Sequence, residues 1–286
     1  MVKILEHVFE EISSLPNFPE TAFRALRMLE DENVNFEELA KVIRYDATIT
    51  ANFLKLVNSA YLGLRRKVDS LSQAFALLGL NQIRFFLVAA CAGQYLNRPL
   101  KGYALSPQEV WLHSLGCGVL AELLSERVKV ERQDHVFTAA LLHDIGKIVL
   151  DLFVGGELEM IRDLVEDEGL SFMEAEIMVL GTDHAVIGAE LLRRWEFPED
   201  IILAVRAHHD EDWMVQSQNA AIVALSNMIV NLLGIGTGAD GLSYRVPAGL
   251  LKKVGLAEKE LFDVILEGYK RYQNLKENLL QTSSPS

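Results

Sequence analysis

Apolar residues recur at spacings of three and four along almost the whole chain, the period of an amphipathic helix, and no stretch alternates with the period of two that a half-buried strand needs. Pro19 and Glu20 open a predicted helix that places Ala22, Leu26 and Leu29 on one face. Asn35 caps FEELAKVIRY, whose stripe is Leu39, Val42 and Ile43, and Asp46 caps ATITANFLKLVNSAY, with Ile49, Phe53, Leu56 and Val57 inward. Ser70 or Ser72 starts AFALLG and QIRFFLVAACAGQYL, divided at Gly79 and Leu80. Asn97 to Ser106, with Pro99 and Gly102, is the predicted internal boundary.

Beyond it the helical pattern resumes in PQEVWLHSLGCGVLAELLSERV, then in HVFTAALLHDIGKIVLDLF as one continuous element, then from Ile161 to Glu168. EAEIMVLG, HAVIGAELLRRW, DIILAVRAHH and Ala220 to Leu233 follow. The loop GIGTGADG precedes a closing helix from Lys259 to Gln281, and the tail TSSPS is expected to be disordered. The pattern predicts an all-α chain in three parts: residues 1–105, residues 106–235, and a C-terminal helical extension from 236 to 286.

Composition narrows the possibilities. Half of the 286 residues are hydrophobic and 23% are charged, as in a folded chain with a large core. A formal charge of −13 counts against a general nucleic-acid binder, which collects phosphates with a basic face. The hairpin from Phe36 to Ala60 looks like a helix-turn-helix, but helical hairpins are common, and the expectation is no DNA binding. Arg65-Arg66-Lys67 and NSAYLG, with Asn58 and Tyr61, are expected to be loop and capping features. The longest apolar run, Phe85 to Gly93, is too short to span a bilayer, and the N-terminus lacks the apolar core of an export signal, so no membrane partner is expected. With only Cys91 and Cys117, both in apolar helical segments, a cytoplasmic, reducing setting is expected. Trp111, Trp195 and Trp213 are read as core packing.

Candidate chemistry is concentrated in one third of the chain. Six of the seven histidines lie between His113 and His209. Glu109 and His113 are four apart and share a helix face. Taking Leu142, Ile145, Val149 and Leu152 as the buried stripe leaves His143 and Lys147 stacked beside it, with Asp144 adjacent. His184 opens a helix after Thr182 and Asp183, and His208 and His209 close one. Imidazole and carboxylate together suit a borderline transition metal better than calcium or magnesium. The spacing alone fits either a metal site between helices or a polar core satisfied by hydrogen bonds.

The order His113, His143-Asp144, His184, His208-His209 resembles the HD metal-dependent phosphohydrolases, and LLHDIGK is similar to the form found in HD-GYP phosphodiesterases. The N-terminal stretch SLPNFPETAFRALRMLEDENVNFEELAKVIRYDATITANFLKLVNSAYLG, continued by LSQAFALLGLNQIRFFLVAAC, resembles HDOD domains, the HD-related output modules of bacterial signalling proteins. The resemblance covers roughly Leu15 to Trp213.

It implies a multi-helix HD-type bundle with an N-terminal HDOD subdomain. The implied metal ligands are Glu109, His113, His143, Asp144, His184, His208 and His209. They would hold iron or manganese, in a dinuclear centre, and Lys147 would assist at phosphate. HDOD modules imply a signalling protein partner and no established catalysis, whereas HD-GYP proteins imply hydrolysis of a nucleotide or cyclic dinucleotide, with Asp144 and Lys147 as the catalytic pair. Two departures weaken the second implication. HHDEDW stands where a GYP segment would follow, and Asn227 stands where the family pattern has an aspartate.

Overall fold

The computed structural model describes residues 17–58, 67–153, 156–214, 216–237 and 249–281. The N-terminal sixteen residues, Tyr61, Arg65 and Arg66, the second half of the loop GIGTGADG and the TSSPS tail lie outside them. The described residues are helical with turns between, and the one extended pairing is an isolated bridge between Leu100 and Leu105.

The described residues divide into two compact units: those within 17–94 with 266–281, and those within 95–265. In the first lie α1 (Glu20–Met28), α2 (Phe36–Ile43), α3 (Ala47–Val57), α4 (Leu71–Leu77) and most of α5 (Leu80–Leu96). Asn35, Asp46 and Ser70 each cap the start of a helix. Asn35 Oδ1 accepts from Glu37 and Glu38 N–H, Asp46 from Ile49 and Ser70 from Gln73, satisfying amides that no helical carbonyl can reach. Asn58 ends α3 by donating to the carbonyls of Leu54 and Val68 while its own oxygen accepts from Val68 N–H. Phe53 meets Phe75 and Phe86 edge-on in a core that also buries Leu39, Ile43 and Ile49.

The second unit contains α6 (Pro107–Val128), α7 (Gln133–Leu142), α8 (Ile145–Phe153), α9 (Glu157–Glu168), α10 (Phe172–Leu180), α11 (His184–Arg194), α12 (Glu199–Arg206), the short α13 (Glu211–Met214), α14 (Gln218–Leu232) and α15 (Leu250–Val254); α16 (Glu258–Gln281) begins there and passes into the first. At its centre α6, α7, α12 and α14 pack on one another, while α8 and α12 both pack on α11. Most of α6 is buried, which is why its sequence is apolar on nearly every side and shows little amphipathic contrast.

Three expectations need correction. HVFTAALLHDIGKIVLDLF is not one helix: α7 ends at Leu142 and α8 begins at Ile145. The break changes the phase of the second half, so Ile145, Ile148 and Val149 are buried but Leu152 is 41% exposed. A Cβ on Gly146 would meet the backbone of His184 and Gly188, so the bare backbone of α8 lies directly against α11. Trp195 packs with Tyr95 and Phe197 as core, but Trp213, on the exposed face of α13, is 51% exposed.

Candidate metal centre

Four helix ends and one helix interior supply the site. His113 stands one and a half turns into α6, His143 and Asp144 fill the break between α7 and α8, His184 is the first residue of α11, and His208 and His209 follow α12. All are buried except His209, which is partly exposed.

What each imidazole does with its Nδ1 decides the chemistry. His113 Nδ1 lies 2.8 Å from Ile235 O, His143 Nδ1 2.8 Å from Ala140 O, and His208 Nδ1 2.6 Å from Val205 O. A carbonyl oxygen can only accept, so Nδ1 carries the proton in each ring and a neutral ring presents a bare Nε2. Gly236, at φ 59°, lets its loop run against α6 where a Cβ would strike His113 and the Glu109 carbonyl, which brings Ile235 O within reach. His184 is held differently. Its ring Nδ1 donates to Glu176 Oε2 at 2.7 Å, its backbone N–H donates to the same oxygen at 2.9 Å, and the Tyr103 hydroxyl donates to Oε1 at 2.6 Å.

The bare nitrogens surround Asp144. Its Oδ2 is 3.3 Å from His143 Nε2 and 3.7 Å from His113 Nε2, and its Oδ1 is 3.4 Å from His184 Nε2 and 3.9 Å from His208 Nε2. His209 Nε2 is 3.1 Å from His184 Nε2. The Nε2 atoms of His143 and His208 and the Oδ1 of Asp144 are buried without a hydrogen-bond partner among the described residues. Lone pairs facing one another in a dry interior are costly unless a cation lies between them. Imidazoles oriented through their other nitrogen by carbonyl or carboxylate are what metal sites use to fix the tautomer. The donors fit a divalent transition metal, with ligand atoms gathered as Asp144, His184, His208 and His209 and as His113, Cys117 and His143.

Electrostatics keep most of these ligands unprotonated. Burial pushes the pKa of His113 down to about 4, and burial followed by neighbouring imidazoles pushes His208 and His209 well below the usual range. Burial also acts against ionised Asp144, but His143 and Lys147 outweigh it and hold the carboxyl well below its ordinary value. For His184, burial is outweighed by the charge and hydrogen bond of Glu176, and the net shift is upward.

Not every expected residue joins the cluster. Glu109 is exposed at the start of α6, where it and Ser106 form a capping box: Oε2 accepts from Ser106 N–H at 2.8 Å. His135 pairs with Asp200 at 2.6 Å, away from the cluster. Lys147 is buried, donates to Asp144 Oδ2 at 3.0 Å, and lies 5.6 Å from the centre of the Tyr103 ring. Asn227 does reach the site: its Oδ1 accepts from Asn231 and faces His113 Nε2 at 3.1 Å. Sequence reasoning missed Glu176, Tyr103 and Cys117. Beside His184 and His209 opens a cavity of about 720 Å³, whose lining among the described residues carries Glu174, Asp183, Asp210 and Glu211 but Arg206 alone as a guanidinium or ammonium group.

The HDOD family profile matches residues 15–211. The chain belongs to the HDOD family. Among solved structures, an HDOD domain protein from Geobacter sulfurreducens matches with a TM-score of 0.78 at 25% identity, covering 97% of both chains. A protein from Shewanella amazonensis SB2B, provisionally named a phosphohydrolase, matches this HDOD fold with a TM-score of 0.74 at 18% identity, covering 95% of this chain and 97% of that one. An uncharacterised protein of Treponema pallidum (strain Nichols) is 25% identical over 240 residues, 81% of this chain and 45% of that protein, so the HDOD chain spans less than half of that longer relative. No helix among the described residues is long and apolar enough to cross a membrane.

Proposed function

We propose that this HDOD protein is a signal-transduction module that binds a divalent transition metal of the iron or manganese type and passes its state to a protein partner, with little or no catalysis. The observation that carries the metal half is the convergence of bare Nε2 atoms, each set by a hydrogen bond at Nδ1, on the two oxygens of Asp144. His143, Asp144, His184, His208 and His209, with His113, would hold the metal. A metal bound there would supply Lewis acidity and an activated water.

Three features support weak catalysis. Asn227 puts a neutral amide where the family pattern has a carboxylate, and an amide neither bridges metals nor takes a proton as a carboxylate does. Lys147 is turned inward to Asp144 and Tyr103, so its charge is already engaged. The acidic lining of the cavity beside His184 repels a polyanion such as a cyclic dinucleotide. The signalling half rests on membership of a family of output modules.

The test is elemental analysis of protein purified without a polyhistidine tag, which should show bound transition metal that is lost in His143→Ala combined with Asp144→Ala. Metal-free wild type with an intact fold would overturn the reading. Efficient hydrolysis of a phosphodiester by metal-loaded wild type, abolished by His143→Ala, would promote the enzyme reading instead.

A further inference from the structure

Cys117 follows His113 by one helical turn on α6, and its Sγ is 3.6 Å from His113 Nε2. One ring nitrogen each of His113 and the fully buried His143 lies with Cys117 Sγ in a group whose ligand atoms are all within 4.8 Å of one another. Ala140 O takes His143 Nδ1, which leaves Nε2, without a hydrogen-bond partner among the described residues, as the nitrogen His143 offers to this group. Asp144 divides its two oxygens between the halves of the centre, Oδ2 toward His113 and His143 and Oδ1 toward His184 and His208. One half therefore offers three imidazoles and an oxygen. The other offers two imidazoles, an oxygen and a sulfur.

A buried cysteine is most often a small apolar filler, and Cys117 does sit where α6 packs closely on its neighbours. Charge argues for more. Asn227 brings only a neutral amide to His113, so among the described residues gathered here the shared Asp144 is the carboxylate. A thiolate at Cys117 would add a second negative charge and a sulfur donor.

We propose that Cys117 is a metal ligand, completing with His113, His143 and Asp144 Oδ2 a four-donor half-site for zinc or a similarly thiophilic dication. The inference rests on the metal reading above and adds a ligand and a metal preference to it. Two nitrogens, one oxygen and one sulfur form a tetrahedral set of the kind zinc accepts, whereas the three-imidazole half suits a harder metal. On binding, the S–H bond breaks, the proton passes to solvent and the sulfur lone pair forms the bond to the metal, so each dication taken up at this half releases one proton.

The experiment uses the full chain, stripped of metal and reloaded with zinc for X-ray absorption or with cobalt(II) for optical spectroscopy. Wild type should show one sulfur at about 2.3 Å from zinc and a thiolate-to-cobalt charge-transfer band in the near ultraviolet. Cys117→Ser should lose both features and bind roughly one equivalent less metal, while Cys91→Ser, which alters the other cysteine, should keep both. If Cys117→Ser does not fold, Cys117→Ala and the wild-type absorption spectrum decide the matter. Metal bound through nitrogen and oxygen alone would overturn the thiolate ligand and leave the proposed metal function standing. No bound metal would overturn both.

Discussion

Glu176 Oε2 accepts two hydrogen bonds from His184, one from its backbone N–H at 2.9 Å and one from its ring Nδ1 at 2.7 Å. The carboxylate thus fixes where α11 begins and which way its first side chain points. Glu176 is completely buried, and its other oxygen is held by Tyr103. Glu176→Ala should weaken metal binding about 10- to 100-fold, the usual cost of removing an outer partner of a metal-binding histidine. Tyr103→Phe, which leaves the far oxygen of this buried carboxylate without its donor, should cost about 2 to 3 kcal/mol of stability. Competition with a chelating dye reads the first and urea unfolding the second. Equal metal affinity in Glu176→Ala and wild type would refute the positioning role.

Gly146 makes a sharper structural prediction. A Cβ there would meet the His184 carbonyl and the Gly188 amide, and backbone cannot swing aside as a side chain can. Gly146→Ala should destabilise the protein by about 3 kcal/mol or more and disturb His184, so metal affinity should fall with stability. Gly79→Ala, at a position with nothing within 4 Å of the added methyl, is the matched control and should be close to neutral. A denaturation midpoint for Gly146→Ala within error of the control would contradict the close approach of α8 to α11.

How far the sequence carries is clear from these residues. The capping residues Asn35, Asp46, Ser70 and Asp183 act within three residues of themselves, so their signals are local and readable. The His143-Asp144 break was not readable, because the apolar run continues through it and the cause, Gly146 against His184, is a tertiary contact. Glu176 lies in an apolar segment and finds its partner eight residues on across a turn, a distance that no helical period encodes. Glu109 could have been read another way, since Ser106-Pro-Gln-Glu109 is itself a capping-box signature.

Acid should unfold the metal-free protein earlier than its carboxylates alone would require. His113 has a pKa of about 4 when folded and takes up its proton near 6.5 when unfolded. Between those values the unfolded chain holds the extra proton, so stability falls as pH falls, by about 1 kcal/mol per pH unit for one such group. His208 and His209, also depressed by burial, act in the same direction. His184 opposes them: its raised pKa gives stability that is present below the unfolded value and lost as pH rises through the folded one. Three groups outweigh one, so the urea midpoint of chelator-treated protein should drop between pH 7 and pH 5. A midpoint that is flat or rises over that interval would show that the imidazoles are not buried as neutral rings.

Asn227 offers the most direct control over the site. Its amide oxygen already accepts from Asn231 at 2.8 Å and faces His113 Nε2 at 3.1 Å, so an aspartate there needs no new geometry. What it adds is a charge in a dry interior close to Asp144, which is costly without a cation to compensate it. Asn227→Asp should therefore lower the thermal midpoint of the metal-free protein while enlarging the upward shift produced by saturating manganese or zinc, since a ligand bound only by the native state stabilises it by an amount that grows with the logarithm of its affinity. Both effects come from one charge, so they must appear together. If the added carboxylate also restores what the family pattern has at this position, phosphodiester hydrolysis by the loaded variant should exceed that of wild type by tenfold or more, about 1.4 kcal/mol of barrier. A variant with an unchanged metal-induced shift would mean that Asn227 does not face the metal, and the account of weak catalysis would then have to rest on Lys147 and the acidic cavity alone.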